Sequence, residues 1–421
     1  VVPVLKRLVC MEGVSHLRIS GLVFTEARGG EPSSHYDDVD GVGAMRPQMG
    51  WEYSGEAVYL NRCTGCCVEN GRVFNVGGNG FYLRHHNERN VIRRNEISDA
   101  GANGVVLAGG RHSIYQAYGG TPGTPHPVLN EVTDNTIHHI GLTDTYAAGV
   151  FLGLSNWNRI AHNDIHDVPH HAINLGNSRY GRNYIEYNRI VRAGRITHDN
   201  GAINCWHEMP PEIEPPGHVI RYNWVADTGN ADREGVGYTI TMGIYLDNWS
   251  SNCLVYGNIV INTMPNGQGV AILAKGRNNI IENNIIINPG ATHLAIMAHC
   301  CYPEFAAVVS RNIFYDTTGN GKAFFDLAAT VALEKVLLQC DNNLFFKAGE
   351  PDPLIAREAR FSDWPRGTGR AGDGYDTNSR VADPLFADAA GGDYRLRPES
   401  PALALGFHPI PIDRIGVRRR P

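Results

Sequence analysis

The chain has 421 residues, of which 48 are glycine, 19% are charged and 9% are aromatic, with a formal net charge of -6 at pH 7. Its 37 Lys+Arg stand against 43 Asp+Glu, with no basic run before Arg418-Arg419-Arg420, so the electrostatic footprint of a nucleic-acid binder is excluded. No apolar run approaches the roughly 18 residues of a membrane span; the longest, such as Ile285-Ile286-Ile287, are strand-length, and no membrane partner is expected.

The sequence opens at Val1 and not at Met, and Val4-Leu5 and Leu8-Val9 already read as strand. A solenoid needs a polar cap at each end. None is visible here, so the reading expects a further N-terminal portion before Val1. The phrase Leu17-Arg18-Ile19-Ser20-Gly21-Leu22 then introduces a motif, with Gly21 in a place that asparagine fills later.

Down the chain the motif becomes regular: apolar, any residue, apolar, polar residues, then Asn and an apolar residue. It recurs at Val91–Ile97, Val132–Ile137, Ile160–Ile165, Ile185–Ile190, Val219–Val225, Val255–Val260, Ile281–Ile285 and Val308–Ile313, ending near Asn342-Asn343-Leu344-Phe345. From Asn135 through Asn163, Asn188, Asn223, Asn258 and Asn284 to Asn312, the spacing runs from 25 to 35 residues. A constant minimum with variable excess is the mark of one solenoid coil plus loop insertions. Period-two alternation inside each short strand sends one set of side chains inward. The asparagines are read as sitting at a bend, where a left-handed backbone is tolerated. Stacked there, their amides can bond as a ladder. Asn163, Asn188, Asn223, Asn258 and Asn284 should then share one bend, and none is assigned chemistry.

A second strand follows each phrase: Gly149–Gly153, Ala172–Gly176, Ala202–Trp206, Gly243–Asp247 and Val270–Ala274. Insertions gather between the two, and loops on one side of a solenoid usually build its binding surface. The periodicity stops near Ala348. The expected fold is all-β, a right-handed parallel β-helix of roughly ten coils between about residues 4 and 345. Its domain spans 1–347, and a loop-rich, non-repetitive tail, 348–421, folds over the last coil and protects its edge. Leucine-rich and helical solenoids lack support in the leucine pattern or in any 3.6-residue period.

The nine cysteines are Cys10, Cys63, Cys66, Cys67, Cys205, Cys253, Cys300, Cys301 and Cys340. An odd number at scattered spacing is no disulfide framework. They read as small buried residues of stacked coils. Cys63 and Cys66 form a C-x-x-C that no second pair answers at zinc spacing. His166, Asp167, His170 and His171 would converge only through unusual turn geometry. No metal and no cofactor are therefore expected.

The densest polar and aromatic stretch runs from 162 to 249. His162–Ile173, His198–Glu208 and Gly243–Ser251 occupy consecutive coils and should be neighbours in space. Cleaving a glycosidic bond takes two carboxyls, one protonated and one ionised. Asp199 and Asp247 are the expected catalytic pair, with Glu208 in reserve. A bend at Asp199 is expected from the turn signal Asn200-Gly201. Trp206, Tyr245 and Trp249 offer aromatic faces to sugar rings, and His171, His207, Asn248 and Lys275 complete the expected substrate-binding set.

The segments Asp199–Asn204 (DNGAIN) and Gly243–Ser251 (GIYLDNWSS) resemble paired motifs of β-helix glycoside hydrolases, most nearly glycoside hydrolase family 141 and more distantly family 120. The tail Asp383–Phe407 resembles the ending common in that group. The resemblance implies catalytic aspartates at Asp199 and Asp247 and an activity of the fucosidase, xylanase or xylosidase type on plant or algal glycans. It implies an extracellular or periplasmic location. The chain departs from the pattern at Asn204, where the family often has Tyr, and at Trp249, where Gly is usual, which leaves the sugar open. Two other readings stand beside it. A polysaccharide lyase on uronic acids would use a cation and a base, with Lys275 and Arg277 one coil beyond Asp247. A non-catalytic glycan-binding solenoid would need neither. Oligomeric state is not legible.

Overall fold

The computed structural model describes residues 3–29, 55–109, 123–176, 180–207, 216–230, 240–297, 304–319, 322–356, 358–364 and 374–418. Three long sheets dominate, of 13, 11 and 12 strands, and strands three apart in sequence are neighbours in each. Every coil gives one strand to each sheet in turn. Among the described residues, eleven such triplets run from Val9–Glu12 to Leu344–Lys347. The pairing within them is parallel, as at Ile160↔Ile185 and Ile185↔Ile220. This is a parallel β-helix.

Most strands of the second and third sheets have three residues, and the middle one points inward. Ile92, Val132, Ile160, Ile185, Ile220, Val255 and Ile281 stack as one fully buried column, and Ile97, Ile137, Ile165, Ile190, Val225, Val260 and Ile286 as another. Both belong to one core that runs the length of the solenoid. Each such side chain contributes about 1.5–3 kcal/mol by leaving water. A three-residue strand has one core position, so the sequence repeats a β-branched residue there.

The asparagines stack as expected. Asn163 Nδ2 donates to Asn188 Oδ1 at 2.9 Å, Asn188 to Asn223 at 3.0 Å, Asn223 to Asn258 at 2.9 Å and Asn258 to Asn284 at 3.0 Å. Each ladder oxygen also receives a backbone N–H from the adjacent coil, as Asn163 N to Asn188 Oδ1 at 3.1 Å. The left-handed backbone, however, belongs to the residue before each ladder asparagine: His162, Tyr187, Tyr222, Gly257 and Asn283 have φ between 56° and 63°. That residue makes the corner, and the asparagine after it points into the stack. In the first coil the expected register is off by one. Gly21 is the left-handed corner, and Leu22 holds the ladder place, its carbonyl accepting from Arg72 N.

A second ladder precedes the second sheet: Asn90, Asn130, Asn158 and Asn183 bond in series at 2.9–3.1 Å. In the next two coils His218 and Cys253 take the asparagine's place, receiving Asn183 N and His218 N, and Asn279 resumes it.

The tail does more than cap the end. Ala356 pairs with Phe325, and Arg380 and Val381 pair with Leu344 and Phe345, closing the last coil. The chain then turns back along the outside of the third sheet. Phe386, Tyr394, Leu405, Phe407 and Ile410 pack on Leu344, Ile313, Ile287, Ile261, Ala226 and Val191. Asn283 is bonded to His408, Gly416 N to the Tyr187 carbonyl, and Arg418 to Asp134. No helix among the described residues is long and apolar enough to cross a membrane.

Of the cysteines, Cys63, Cys66, Cys205, Cys253 and Cys340 are buried, Cys67 is half-buried and Cys10 exposed; Cys300 and Cys301 lie outside the described residues. Cys63 and Cys66 donate their thiols to the carbonyls of Met11 and Val14.

Candidate active site

Three adjacent strands of the first sheet, Asn200–Cys205, Ile240–Leu246 and Gln268–Ala274, align Asn204 with Tyr245 and Leu273, and Cys205 with Leu246 and Ala274. Cys205, Leu246 and Ala274 point into the core. The next residue of each strand therefore points outward, which sets Trp206, Asp247 and Lys275 side by side on three coils. The backbone continues in register there: Asp247 N donates to the Cys205 carbonyl and Lys275 N to the Leu246 carbonyl, both at 2.8 Å. Tyr245 lies two residues before Asp247 and shares its face.

The side chains close a chain of contacts. Lys275 Nζ lies 2.8 Å from Asp247 Oδ1 and 2.5 Å from Tyr245 Oη, and Tyr245 Oη donates to Asp199 Oδ1 at 3.3 Å. The ammonium also sits 4.9 Å from the centre of the Tyr245 ring. Asp199 reaches this group from the strand entrance. Its φ of 51° makes the bend, and its N–H is held by the Ile240 carbonyl at 2.9 Å. Asn200-Gly201, expected to form the turn, lies inside the strand. Gly201 serves packing there, since a Cβ on it would stand 2.6 Å from Tyr245 Cβ.

The bend is braced through Thr197, which the sequence did not single out, and through Asn200 and His170 in roles it did not suggest. Asn200 Nδ2 donates to the Thr197 carbonyl at 2.8 Å, Thr197 Oγ1 to the Pro169 carbonyl at 3.2 Å, and His170 Nδ1 bonds to Thr197 Oγ1. Only the polar character of 197–200 hinted at this.

Asp199 is exposed as a residue, but desolvation of its carboxyl where it meets Tyr245 pushes it above the usual aspartate range, and the charge of Asp247 pushes it further; Lys275 and the Tyr245 hydroxyl oppose this. Burial, with both carboxylates beside it, drives the Tyr245 phenol up, so it remains a hydrogen-bond donor. His171 is pushed down to about 4 by burial, against the pull of the Gly201 carbonyl and the Asp247 charge, which makes it a neutral imidazole at pH 7. Its Nδ1 lies 2.9 Å from the Gly201 carbonyl. The arrangement thus holds one carboxyl biased toward its proton and a second paired with an ammonium.

The remaining expected site residues fall in different places. Trp206 packs in an apolar cluster with Tyr59, Tyr82 and Phe151 on the outer face of the first sheet. Trp249 is half-buried on a left-handed corner with φ 56°. Asn248 accepts from His207 N at 3.1 Å, and its side-chain oxygen is buried with no partner among the described residues. His207 is buried and turned to the interior, with Nε2 3.4 Å from Cys205 Sγ and its ring stacked on His218. Glu208 lies outside the described residues. The group around His166 and His171 does not converge: His166 binds Asp167 at 2.8 Å, while His170 binds Thr197.

No protein-family model matches the chain, and no curated protein matches it. Several solved structures are similar in fold. One is described as a glycoside hydrolase: 13% identity, 77% of this chain and 41% of that chain covered, TM-score 0.37. A family 136 lacto-N-biosidase from Eubacterium ramulus is 13% identical over 81% of this chain and 53% of that one, TM-score 0.46. A polysaccharide lyase family 6 alginate lyase is 13% identical over 99% and 56%, TM-score 0.46. The chain spans about half the length of these proteins, and a likeness of this degree concerns the fold alone.

Proposed function

We propose that the chain is a carbohydrate-active enzyme, a glycoside hydrolase in which Asp199 is the general acid and Asp247 the second catalytic carboxylate. The observation that supports this most is the unequal pair. Asp199 is biased toward its protonated form by desolvation of its carboxyl and by Asp247, while Asp247 carries an ion pair to Lys275 at 2.8 Å. Two carboxyls whose surroundings push their proton affinities apart are the requirement of glycosidic cleavage.

In the proposed reaction, Asp199 gives its proton to the leaving glycosidic oxygen as the bond breaks. Asp247 acts on the anomeric carbon, either directly as nucleophile or through a water it activates. Tyr245 and Lys275 hold the two carboxyls in one frame and offset the negative charge left on Asp199. Asn248 and Trp249, at the turn after Asp247, and His171 beside Gly201 are proposed contacts for sugar hydroxyls and ring faces. Membership of glycoside hydrolase family 141, a substrate drawn from plant or algal glycans, and an extracellular or periplasmic location form part of the same proposal.

One contact favours a second reading. The 2.5 Å approach of Lys275 Nζ to Tyr245 Oη is also what a lyase needs, with phenol and amine passing a proton during elimination next to a uronate carboxylate. One experiment separates the two. The chain is screened on aryl glycosides and on neutral and uronic-acid polysaccharides, reading both reducing-end release and ultraviolet absorbance. Reducing ends without an unsaturated product are expected. An unsaturated product would overturn hydrolysis in favour of elimination, and absence of either on all substrates would overturn an enzymatic role.

A further inference from the structure

Inside the solenoid, below the outward row that carries Asp247, lies a group of thiols and imidazoles that the catalytic proposal does not use. Cys205, His207 and His218 are all buried, and their ligand atoms lie within 4.8 Å of one another. Cys253, at the second-ladder place one coil beyond His218, is also buried; it stands outside that set of three but lies next to it, its Sγ 3.5 Å from His218 N. We propose that this group is a closed, structural site for one zinc-type divalent ion, with Cys205, His207, Cys253 and His218 as its ligands.

Three observations carry the proposal. The first is geometric. Zinc bonds of ~2.3 Å to sulfur and ~2.0 Å to nitrogen at a tetrahedral angle put the two ligand atoms about 3.5 Å apart. Cys205 Sγ and His207 Nε2 are 3.4 Å apart.

The second is an orphaned atom. His218 Nδ1 faces Asn183 N at 3.2 Å, which leaves Nε2 as the other ring nitrogen. Nε2 is buried and has no hydrogen-bond partner among the described residues. A buried ring nitrogen without a partner is unfavourable, and a metal bond would satisfy it, at the expense of the acceptor that Nδ1 gives Asn183 N. Whichever nitrogen binds, the ring gives up its long contact to Asn183.

The third is the pattern of the ladder. Asparagine occupies this place at Asn130, Asn158, Asn183 and Asn279, and its amide both donates and accepts there. His218 and Cys253 break the run on two adjacent coils, beside a cysteine and a histidine of the neighbouring strand. Cys253 Sγ also lies 3.5 Å from the His218 N–H, a donor that suits a thiolate. Each cysteine would need to lose its proton and each histidine would bind as a neutral imidazole; a site this buried would be filled as the chain folds, adding to its stability.

The ladder supplies the test. His218→Asn restores the residue found on neighbouring coils, so it should fold normally while removing a ligand. The chain and this variant are purified under reducing conditions without chelator. Zinc is measured by elemental analysis, and the metal-free forms are titrated with Co(II) alone. The unchanged chain is expected to hold about one ion per chain and, with Co(II), to show the intense visible bands of a tetrahedral thiolate site. His218→Asn and Cys205→Ser should each lower metal content at least about tenfold, with His218→Asn keeping the circular dichroism of the parent. If the reduced parent takes up neither Zn(II) nor Co(II), the group is a buried polar break in the ladder and the proposal fails. It fails equally if folded His218→Asn binds as much metal as the parent. Neither result touches the hydrolase reading, because the readouts are metal content and absorbance.

Discussion

Two sets of polar residues lie a strand apart in this solenoid, one buried and one open on the outer face, and they are built differently. In the ladder, Asn163, Asn188, Asn223 and Asn258 are uncharged, and each meets identical partners above and below at 2.9–3.1 Å. At the site, Asp199, Tyr245, Asp247 and Lys275 are unlike one another, and a single network joins two acids, a phenol and an ammonium. Repetition satisfies a neutral amide completely. A heterogeneous cluster leaves one proton affinity displaced, and displaced proton affinity is what acid–base chemistry uses. The ladder is therefore expected to answer to stability measurements and the site to activity measurements.

The sharpest break between them is Asp247→Asn. Turnover on the true substrate should fall about 10³-fold, the range for loss of an acid–base or charge-stabilising group, while the thermal midpoint stays near that of the parent. Near-normal turnover would remove Asp247 from the chemistry.

Asn188→Ala is the complementary experiment. It deletes the bonds to the Ile160 carbonyl and to Asn223 and leaves Asn163 N without its acceptor. The expected loss is about 2–4 kcal/mol, read as faster amide exchange at Asn163 and its neighbours, since a repeat protein need not unfold in one step. Activity per folded molecule should be unchanged. Wild-type protection at Asn163 would show that the ladder is decorative.

The pH profile sharpens the comparison further. As general acid, Asp199 must hold its proton, so activity is lost as pH rises through its elevated pKa. The charge of Asp247 raises that pKa and Lys275 lowers it. The alkaline limb of residual activity should move to lower pH in Asp247→Asn and to higher pH in Lys275→Met. Shifts in the same direction would contradict the assignment.

The smallest effect is at the end of the tail. Burial raises the Asp134 carboxyl, but hydrogen bonds from Arg418 outweigh it and hold the group below the aspartate range. Its stabilisation is thus present above the unfolded aspartate pKa and is lost as pH falls through the depressed folded value. Arg418 is half-exposed, so Arg418→Ala should cost only about 1 kcal/mol and flatten the acid side of the stability profile. This would be measured by denaturation between acidic and neutral pH.

Much of this architecture could be read from residues. The β-branched residue at the middle of each three-residue strand and the asparagine after each corner follow from local rules, because every coil repeats the same environment. Ile285-Ile286-Ile287, legible only as a strand-length apolar run, is covered on its outer face by the tail. The corner itself was misplaced by one residue, since sequence marks the asparagine while the left-handed residue before it varies from His162 to Tyr187 to Gly257. At the site, Asp199 and Asp247 were legible as acids near aromatics. The inward turn of His207 and the packing of Trp206 against Tyr59 and Phe151 were not, because facing is set by the register of neighbouring coils.

The sequence by itself determined the solenoid, its ladder and the window that holds its reactive residues, since short-range periodicity encodes burial directly. Only the tertiary structure decided that Asp199 and Asp247 meet through Tyr245 and Lys275, and that Cys205, His207, His218 and Cys253 gather in the interior. Apart from those among Cys205, His207 and His218, which follows His207 by 11 residues on the same coil, these contacts cross coils whose inserted loops have no fixed length, so no spacing along the chain can specify them. Stacking at the strand separation of about 4.8 Å brings together residues that lie about 30 to 50 positions apart.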